Sequence, residues 1–260
     1  MKILKPHTSV SHKLLTLTIL IVVSLSCSKE SGEQDSPQNE VINLQTNHTY
    51  SLAIKEPSGL CKAWNKNEFL IVSDHSNTVF RINDKGEILQ EYPFVGSDLE
   101  GISYQEKGKI IWLVDEQQNK LIKLNKEGEL LLDYKLSYQS HPSNKGLEGI
   151  AVNTNNNHIF MLNEASPGLL LEFFDGEIIR SISLGFAPDY SGLFFDAKNN
   201  QLWITSDEAK RIYQCNIDGK LLKTFQHTVN KAEGIIVNVE TLEFWICSDS
   251  KDKLYMLSTQ

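Results

Sequence analysis

The sequence predicts an all-β fold, a five-bladed β-propeller, on three observations: a glycine motif that recurs five times, an acid at a constant distance after each glycine, and a lone strand-like run ahead of the first repeat. The motif is a small or acidic residue, then Gly, then Leu or Ile: Ser58-Gly59-Leu60, Glu100-Gly101-Ile102, Glu148-Gly149-Ile150, Ser191-Gly192-Leu193 and Glu233-Gly234-Ile235. Its glycines stand 42, 48, 43 and 42 residues apart, which suits one four-stranded blade per unit. Fifteen residues after each glycine comes an acid: Asp74, Glu116, Glu164, Asp207 and Asp249.

Each unit opens with a strand at the glycine motif. The second strand is the apolar run before the acid, for example Phe69-Leu70-Ile71-Val72 or Ile111-Trp112-Leu113-Val114. Runs apolar on both faces belong between two neighbouring sheets. Twelve residues past the acid stands a turn glycine in four units (Gly86, Gly128, Gly176, Gly219), and a fourth strand follows it, as in Glu87 to Phe94. The fifth unit runs out at Gln260 without a fourth strand. The β-rich run His48 to Ile54 is expected to supply it, closing the ring so that only short edges remain. No stretch has a sustained helical period, and the one long insertion, Ser137 to Lys145, is too short for a sixth blade.

Residues 1–27 have the order of an export signal. Lys2, Lys5 and Lys13 precede an apolar run from Leu14 to Leu25, followed by Ser26-Cys27. A membrane-spanning helix needs roughly 20 apolar residues, and this run is shorter. Cys27 resembles the lipobox cysteine that is cut to become a lipid-bearing N-terminus, although Ser24 stands where that pattern prefers Leu. Residues 28–47 are rich in Ser, Glu, Gln and Asn and read as a flexible tether to the propeller of residues 48–260. The expected place is the bacterial cell envelope, lipid-anchored to a membrane, periplasmic or surface-exposed.

The chain has 25 basic and 33 acidic residues, and three of the lysines lie in the leader, so the remainder carries 22 against 33 and a net charge of −11. Such a surface repels phosphate backbones and excludes nucleic acid as the natural partner. A monomer is expected. Cys61, Cys215 and Cys247 are odd in number and form no CxxC pair, so they read as buried thiols.

Antiparallel neighbours bring the start of strand one and the end of strand two to the same end of a blade. One mouth therefore collects two rows: Ser58, Glu100, Glu148, Ser191 and Glu233 inside, and Asp74, Glu116, Glu164, Asp207 and Asp249 outside. Crowded carboxylates raise each other's pKa unless a cation compensates. Ca²⁺, which takes about 6 to 8 oxygens, suits them. Glu100, Glu148 and Glu233 are the expected ligands, helped by the outer row. An acid at a strand end also caps the next turn, so the outer row carries a turn-capping reading as well. Trp112, Trp203 and Trp245 share one register of strand two and are read as core. His75, His141 and His227 are read as surface residues. GxSxG, HExxH and GxxxxGK[ST] are absent, and the reading is non-enzymatic.

The segments Asp98-Leu99-Glu100-Gly101-Ile102, Gly146-Leu147-Glu148-Gly149-Ile150 and Ala232-Glu233-Gly234-Ile235, with the strand ends Ser73-Asp74, Ser206-Asp207 and Ser248-Asp249, resemble the SdiA-regulated (YjiK-like) family of bacterial envelope proteins. Asp74 to Asn77 also has the Asp-x-x-Asn ending of NHL repeats. The resemblance implies a calcium-binding five-bladed propeller without demonstrated enzymatic activity. Ser58 and Ser191 interrupt the glutamate row. The expected function is a calcium-binding propeller that presents its acidic mouth to an unknown envelope ligand or protein; the alternative is a calcium-dependent hydrolase similar to propeller lactonases or phytases.

Overall fold

A computed structural model describes residues 40–138 and 146–259. The leader with Cys27, the stretch 28–39 and the insertion around His141 lie outside them. Strand β1 spans Val41–Ser51. It is followed by β2 (Pro57–Lys62), β3 (Glu68–Ser73), β4 (Thr78–Asn83) and β5 (Ile88–Val95), an antiparallel meander. Three more four-stranded meanders follow. They are β6 (Leu99–Gln105), β7 (Ile110–Asp115), β8 (Lys120–Asn125) and β9 (Leu130–Lys135); β10 (Leu147–Val152), β11 (Ile159–Asn163), β12 (Leu169–Phe174) and β13 (Glu177–Ser183); and β14 (Leu193–Asp196), β15 (Gln201–Ser206), β16 (Arg211–Asn216) and β17 (Leu221–Gln226). A three-stranded meander of β18 (Ala232–Asn238), β19 (Glu243–Ser248) and β20 (Lys253–Thr259) ends the chain. Among the described residues the sole helical element is a 3₁₀ turn at Asp249–Lys251, and no helix is long and apolar enough to cross a membrane.

Strand β1 lies antiparallel to β20, from Leu44 opposite Thr259 to Ser51 opposite Lys253. Its first residues pair in parallel with β17, Val41 opposite Thr224. The last two meanders thereby join into one eight-stranded sheet. This corrects the tether boundary: residues 41–47 are strand, while Leu52 and Ile54 leave it and are buried among side chains of the first meander. Only Leu44 of β1 is buried, so backbone pairing and not an apolar face holds this strand.

The second strands are buried on both faces; Leu70, Ile71 and Val72 are all at 0% exposure. Burying each such side chain is worth about 1.5–3 kcal/mol. Apolar layers fill the space between neighbouring meanders. Leu70 and Val72 meet Ile102 and Leu113, and Val114 meets Ile150 and Met161. Phe160 and Leu162 meet Leu193 and Ile204, and Trp203 and Phe225 meet Ile235 and Phe244. Ile236, Cys247 and Leu254 of the last meander pack against Leu60, Ile71 and Phe80 of the first. The fold is an all-β propeller built on these layers. Trp112 and Trp203 are core, at 6% and 2% exposure, whereas Trp245 is only partly buried.

At the hub the innermost strands come close enough to demand glycine. A Cβ on Gly192 would lie 2.0 Å from the Glu233 carbonyl oxygen, and one on Gly101 2.3 Å from that of Glu148. Real side chains never approach a backbone so closely, and this explains why the motif keeps its glycine.

Candidate functional site

The innermost strands carry register breaks at the motif. The β2–β3, β6–β7, β10–β11 and β18–β19 pairings shift between Pro57 and Leu60, Leu99 and Gly101, Leu147 and Ile150, and Ala232 and Ile235. A bulge re-aims the side chain at its centre, and here those side chains include Glu100, Glu148 and Glu233. The acids after the second strands stand one residue beyond β3, β7, β11, β15 and β19, at the same end.

A cavity of about 180 Å³ opens there. Asp74, Glu100, Glu148, Glu164, Asp207, Glu233 and Asp249 all line it, as do Ser58 and Ser191. Glu116 joins through its neighbours: one oxygen each from Glu100, Glu116 and Glu148 lie within 4.8 Å of one another. A second triad of the same tightness is Asp74, Asp98 and Glu100. All eight carboxylates expected from the repeat therefore converge on one mouth, with Glu100 common to both triads. These oxygens are the right donors for a hard cation such as Ca²⁺, which prefers carboxylate and carbonyl oxygen.

The electrostatics follow from crowding. Burial pushes Glu100 up to about 9, with Asp74, Glu233, Asp98 and Glu116 adding to it. Burial and the charges of Glu100 and Glu233 hold Glu148 well above the usual carboxylate range. Glu233 rises to about 8 through burial, partly offset by Lys231, and Asp207 and Asp249 push the same way as burial. Asp74 is raised by burial and then by its hydrogen bond with Asp98. Asp249 is raised by burial and by Glu56. Without a cation, a fraction of this ring keeps its protons at neutral pH.

The turn-capping reading of the outer row shifts by one residue. Ser73 Oγ accepts from the Ser76 N–H at 3.1 Å, Asp115 Oδ1 from the Gln118 N–H at 2.8 Å, and Ser206 Oγ from the Ala209 N–H at 3.2 Å. In these three units the cap comes from the residue before the acid; in the fifth, Ser248 makes no such cap and donates to the Asn230 carbonyl at 2.7 Å instead. The two serines of the inner row work as staples. Ser58 Oγ donates to the Leu99 carbonyl at 2.9 Å and Ser191 Oγ to that of Ala232 at 2.8 Å, each tying its strand to the next meander.

Sequence reasoning missed five charged residues here. Asp98 completes a triad two residues before a predicted ligand. Glu56 and Glu208 line the cavity. Asp189 is buried at 3% exposure and accepts from Ser206 Oγ and from the Asp207 N–H at 2.9 Å, fixing the loop that carries Asp207. Lys231 is the one basic residue in the described lining; its Nζ is 3.2 Å from Asp207 Oδ2, and its N–H donates to Asp207 Oδ1 at 2.6 Å. Four of the five share a place in the repeat: Glu56, Asp98, Asp189 and Lys231 each stand three residues before a motif glycine, where the third unit has Gly146. His227 also corrects the sequence reading: it is buried at 2% exposure, its Nδ1 accepts from the Val229 N–H at 3.2 Å, and burial lowers its pKa to about 4, so the ring is neutral. Cys215 and Cys247 are buried free thiols, and Cys61 is a half-buried one.

Beneath the carboxylates the axis narrows to a neck of about 10 Å³ among Gly59, Gly101, Gly149, Gly192 and Gly234 and the aliphatic residues that follow them.

Among solved structures, the chain is similar to virginiamycin B lyase from Staphylococcus aureus, 20% identical over 82% of this chain and 73% of that one, with a TM-score of 0.50. A streptogramin B lyase structure is 18% identical over 83% and 73%, with a TM-score of 0.51. The β-propeller domain of Cps50 (Swd1) from Myceliophteria thermophila is 8% identical over 79% and 65%, with a TM-score of 0.49. At such identities the two lyases speak to the fold alone. The family model SdiA-regulated matches residues 40–259, nearly the whole described region, and the chain belongs to the SdiA-regulated family.

Proposed function

We propose that the acidic mouth is a calcium site in a non-enzymatic, five-bladed propeller of the bacterial envelope, and that the loaded mouth is presented to an envelope ligand or protein. The observation that carries this is the pair of carboxylate triads that share Glu100. Three half-buried glutamates aimed at one axis cost the fold free energy that no turn or packing role returns, whereas a divalent ion would stabilise all of them together. Glu100, Glu116 and Glu148 would hold the ion, with Asp74 and Asp98 as the second group of oxygens. The five-blade reading rests on five motif units, with β1 as the outer strand of the last blade; its antiparallel register on β20 and the packing of Ile236 against Leu60 support closure. Cys27 would carry the lipid anchor.

Calorimetry on the full chain tests the ion. Millimolar Ca²⁺ should bind with release of protons, because ionised carboxylates replace protonated ones. No binding heat and no proton release would overturn the reading. The alternative, a calcium-dependent hydrolase, draws on the same raised glutamates, since a carboxyl protonated near neutral pH can serve as a general acid. Turnover of lactones or phosphate esters that needs Ca²⁺ and is lost in Glu148→Gln would decide for the enzyme.

A further inference from the structure

A larger cavity lies at the other end of the strands. Residues 63–67 join β2 to β3 and Asp84 begins the turn from β4 to β5, so both turns sit opposite the end that carries Ser58 and Asp74. Between these turns and β18–β19 is a cavity of about 420 Å³, lined by Trp64, Asn67, Phe69, Asp84, Asn238 and Trp245 among others. Sites for small organic molecules run from roughly 300 to 1,000 Å³. This cavity falls in that range, and the mouth, at about 180 Å³, falls below it.

Two indoles dominate the cavity and both are held in place. Trp245 stands edge-on to Phe69, with ring centroids 5.7 Å apart. Trp64 packs against Tyr104 at 5.3 Å, with Lys126 Nζ 4.3 Å and the Arg81 guanidinium 5.5 Å from its ring centroid. Trp245 shares the register of Trp112 and Trp203 but, unlike them, keeps part of its surface open.

The polar chemistry of the rim narrows the ligand class. The Ala63 N–H donates to Glu68 O at 2.9 Å and the Asp84 N–H to Asn67 O at 3.0 Å, which ties the two turns together. Charge is nearly balanced, with Lys62 and Lys66 against Asp84 and a Glu68 already paired with Arg81. Asn238 is already bonded to Glu243 and to the Glu240 N–H, and Lys126 and Arg81 lie against the Trp64 ring; what the lining offers a ligand is the Asn67 amide, which both donates and accepts, the Asp84 carboxylate and the open surfaces of Trp64 and Trp245.

We propose that this cavity binds a neutral saccharide of one or two rings. The C–H face of a pyranose stacks on the open surface of Trp245 or Trp64, and its hydroxyls, donors and acceptors at once, exchange hydrogen bonds with Asn67 and Asp84. The site is separate from the acidic mouth and independent of any ion bound there.

Saturation-transfer NMR on the full chain with glucose, N-acetylglucosamine, maltose, cellobiose and chitobiose at millimolar concentration tests it. At least one sugar should receive saturation, chiefly on one ring face, and its affinity should fall about tenfold or more in Trp64→Ala and in Trp245→Ala. Asp84→Ala, at an exposed turn, should weaken binding with an unchanged thermal midpoint, which separates loss of the site from loss of the fold. A chelator should leave binding unaltered. Failure of every sugar to bind, binding unchanged in both Trp64→Ala and Asp84→Ala, or binding that vanishes with the chelator would each overturn the proposal.

Discussion

Carboxyls that keep their protons in the fold and lose them in the unfolded chain make stability depend on pH. Glu233 and Glu100 titrate ordinarily near 4.5 and are raised by burial to about 8 and about 9. Above pH 4.5 the unfolded chain has released protons that the native mouth still holds, so native stability falls as pH rises and levels off only beyond about 8 to 9. The slope is about 1.4 kcal/mol per pH unit for each retained proton. Against a typical total of 5–15 kcal/mol, one proton retained over several pH units is a large fraction. Urea unfolding in a chelator from pH 5 to 8 should show a fall of at least one proton's slope. Glu100→Gln should be shallower by close to one proton and more stable than the parent at pH 8. Millimolar Ca²⁺ should flatten the parent profile, because a bound cation lowers the carboxyl pKa values toward the ordinary range. A flat profile in chelator, or a slope that Glu100→Gln leaves untouched, would refute the account of the mouth as a strained, proton-holding ring.

Gly192→Ala should cost about 3 kcal/mol or more, because its Cβ would meet the Glu233 carbonyl at 2.0 Å; Gly185→Ala, with nothing within 4 Å, serves as the control. Thermal midpoints of the two variants check this. Removing residues 41–51 should leave the outer edge of β20 unpaired and give a protein that aggregates or loses cooperative unfolding, read by light scattering and denaturant titration. Lys231→Gln removes the positive charge 3.2 Å from Asp207 and should tighten Ca²⁺ binding several-fold at low salt, with the difference shrinking at high salt. Unchanged affinity in calorimetry would show that Lys231 does not compete with the ion.

The repeat was legible because close packing at the hub leaves no freedom. Gly101 and Gly192 face a neighbouring backbone, and runs such as Leu70-Ile71-Val72 must be apolar on both faces, so both patterns survive in the linear chain. Strand β1 was harder to delimit because an outermost strand is held by backbone hydrogen bonds and presents polar side chains, and Val41 to Asn47 therefore read as tether. The eight acids followed from their constant offset. Asp98, Asp189 and Lys231 also hold a constant place, three residues before the motif glycine, but that place reads Glu, Asp, Gly, Asp and Lys across the five units, so its residue type did not mark it as part of the mouth. His227 looked like the end of an exposed strand, yet the neighbouring segment from Val229 folds over it. Trp245 was assigned by register, and register does not report that the turn beside it leaves a hollow.

The narrow hub has a consequence for traffic. A space of about 10 Å³ is room for a single water at most, so the centre of the wheel is a stopper and not a conduit. Whatever enters among the carboxylates must leave by the door it came through, and its exchange rate is set on that side alone. The indole-lined hollow shares no lining residue with the mouth or the neck, so a guest there and one among the carboxylates would not compete for the same space.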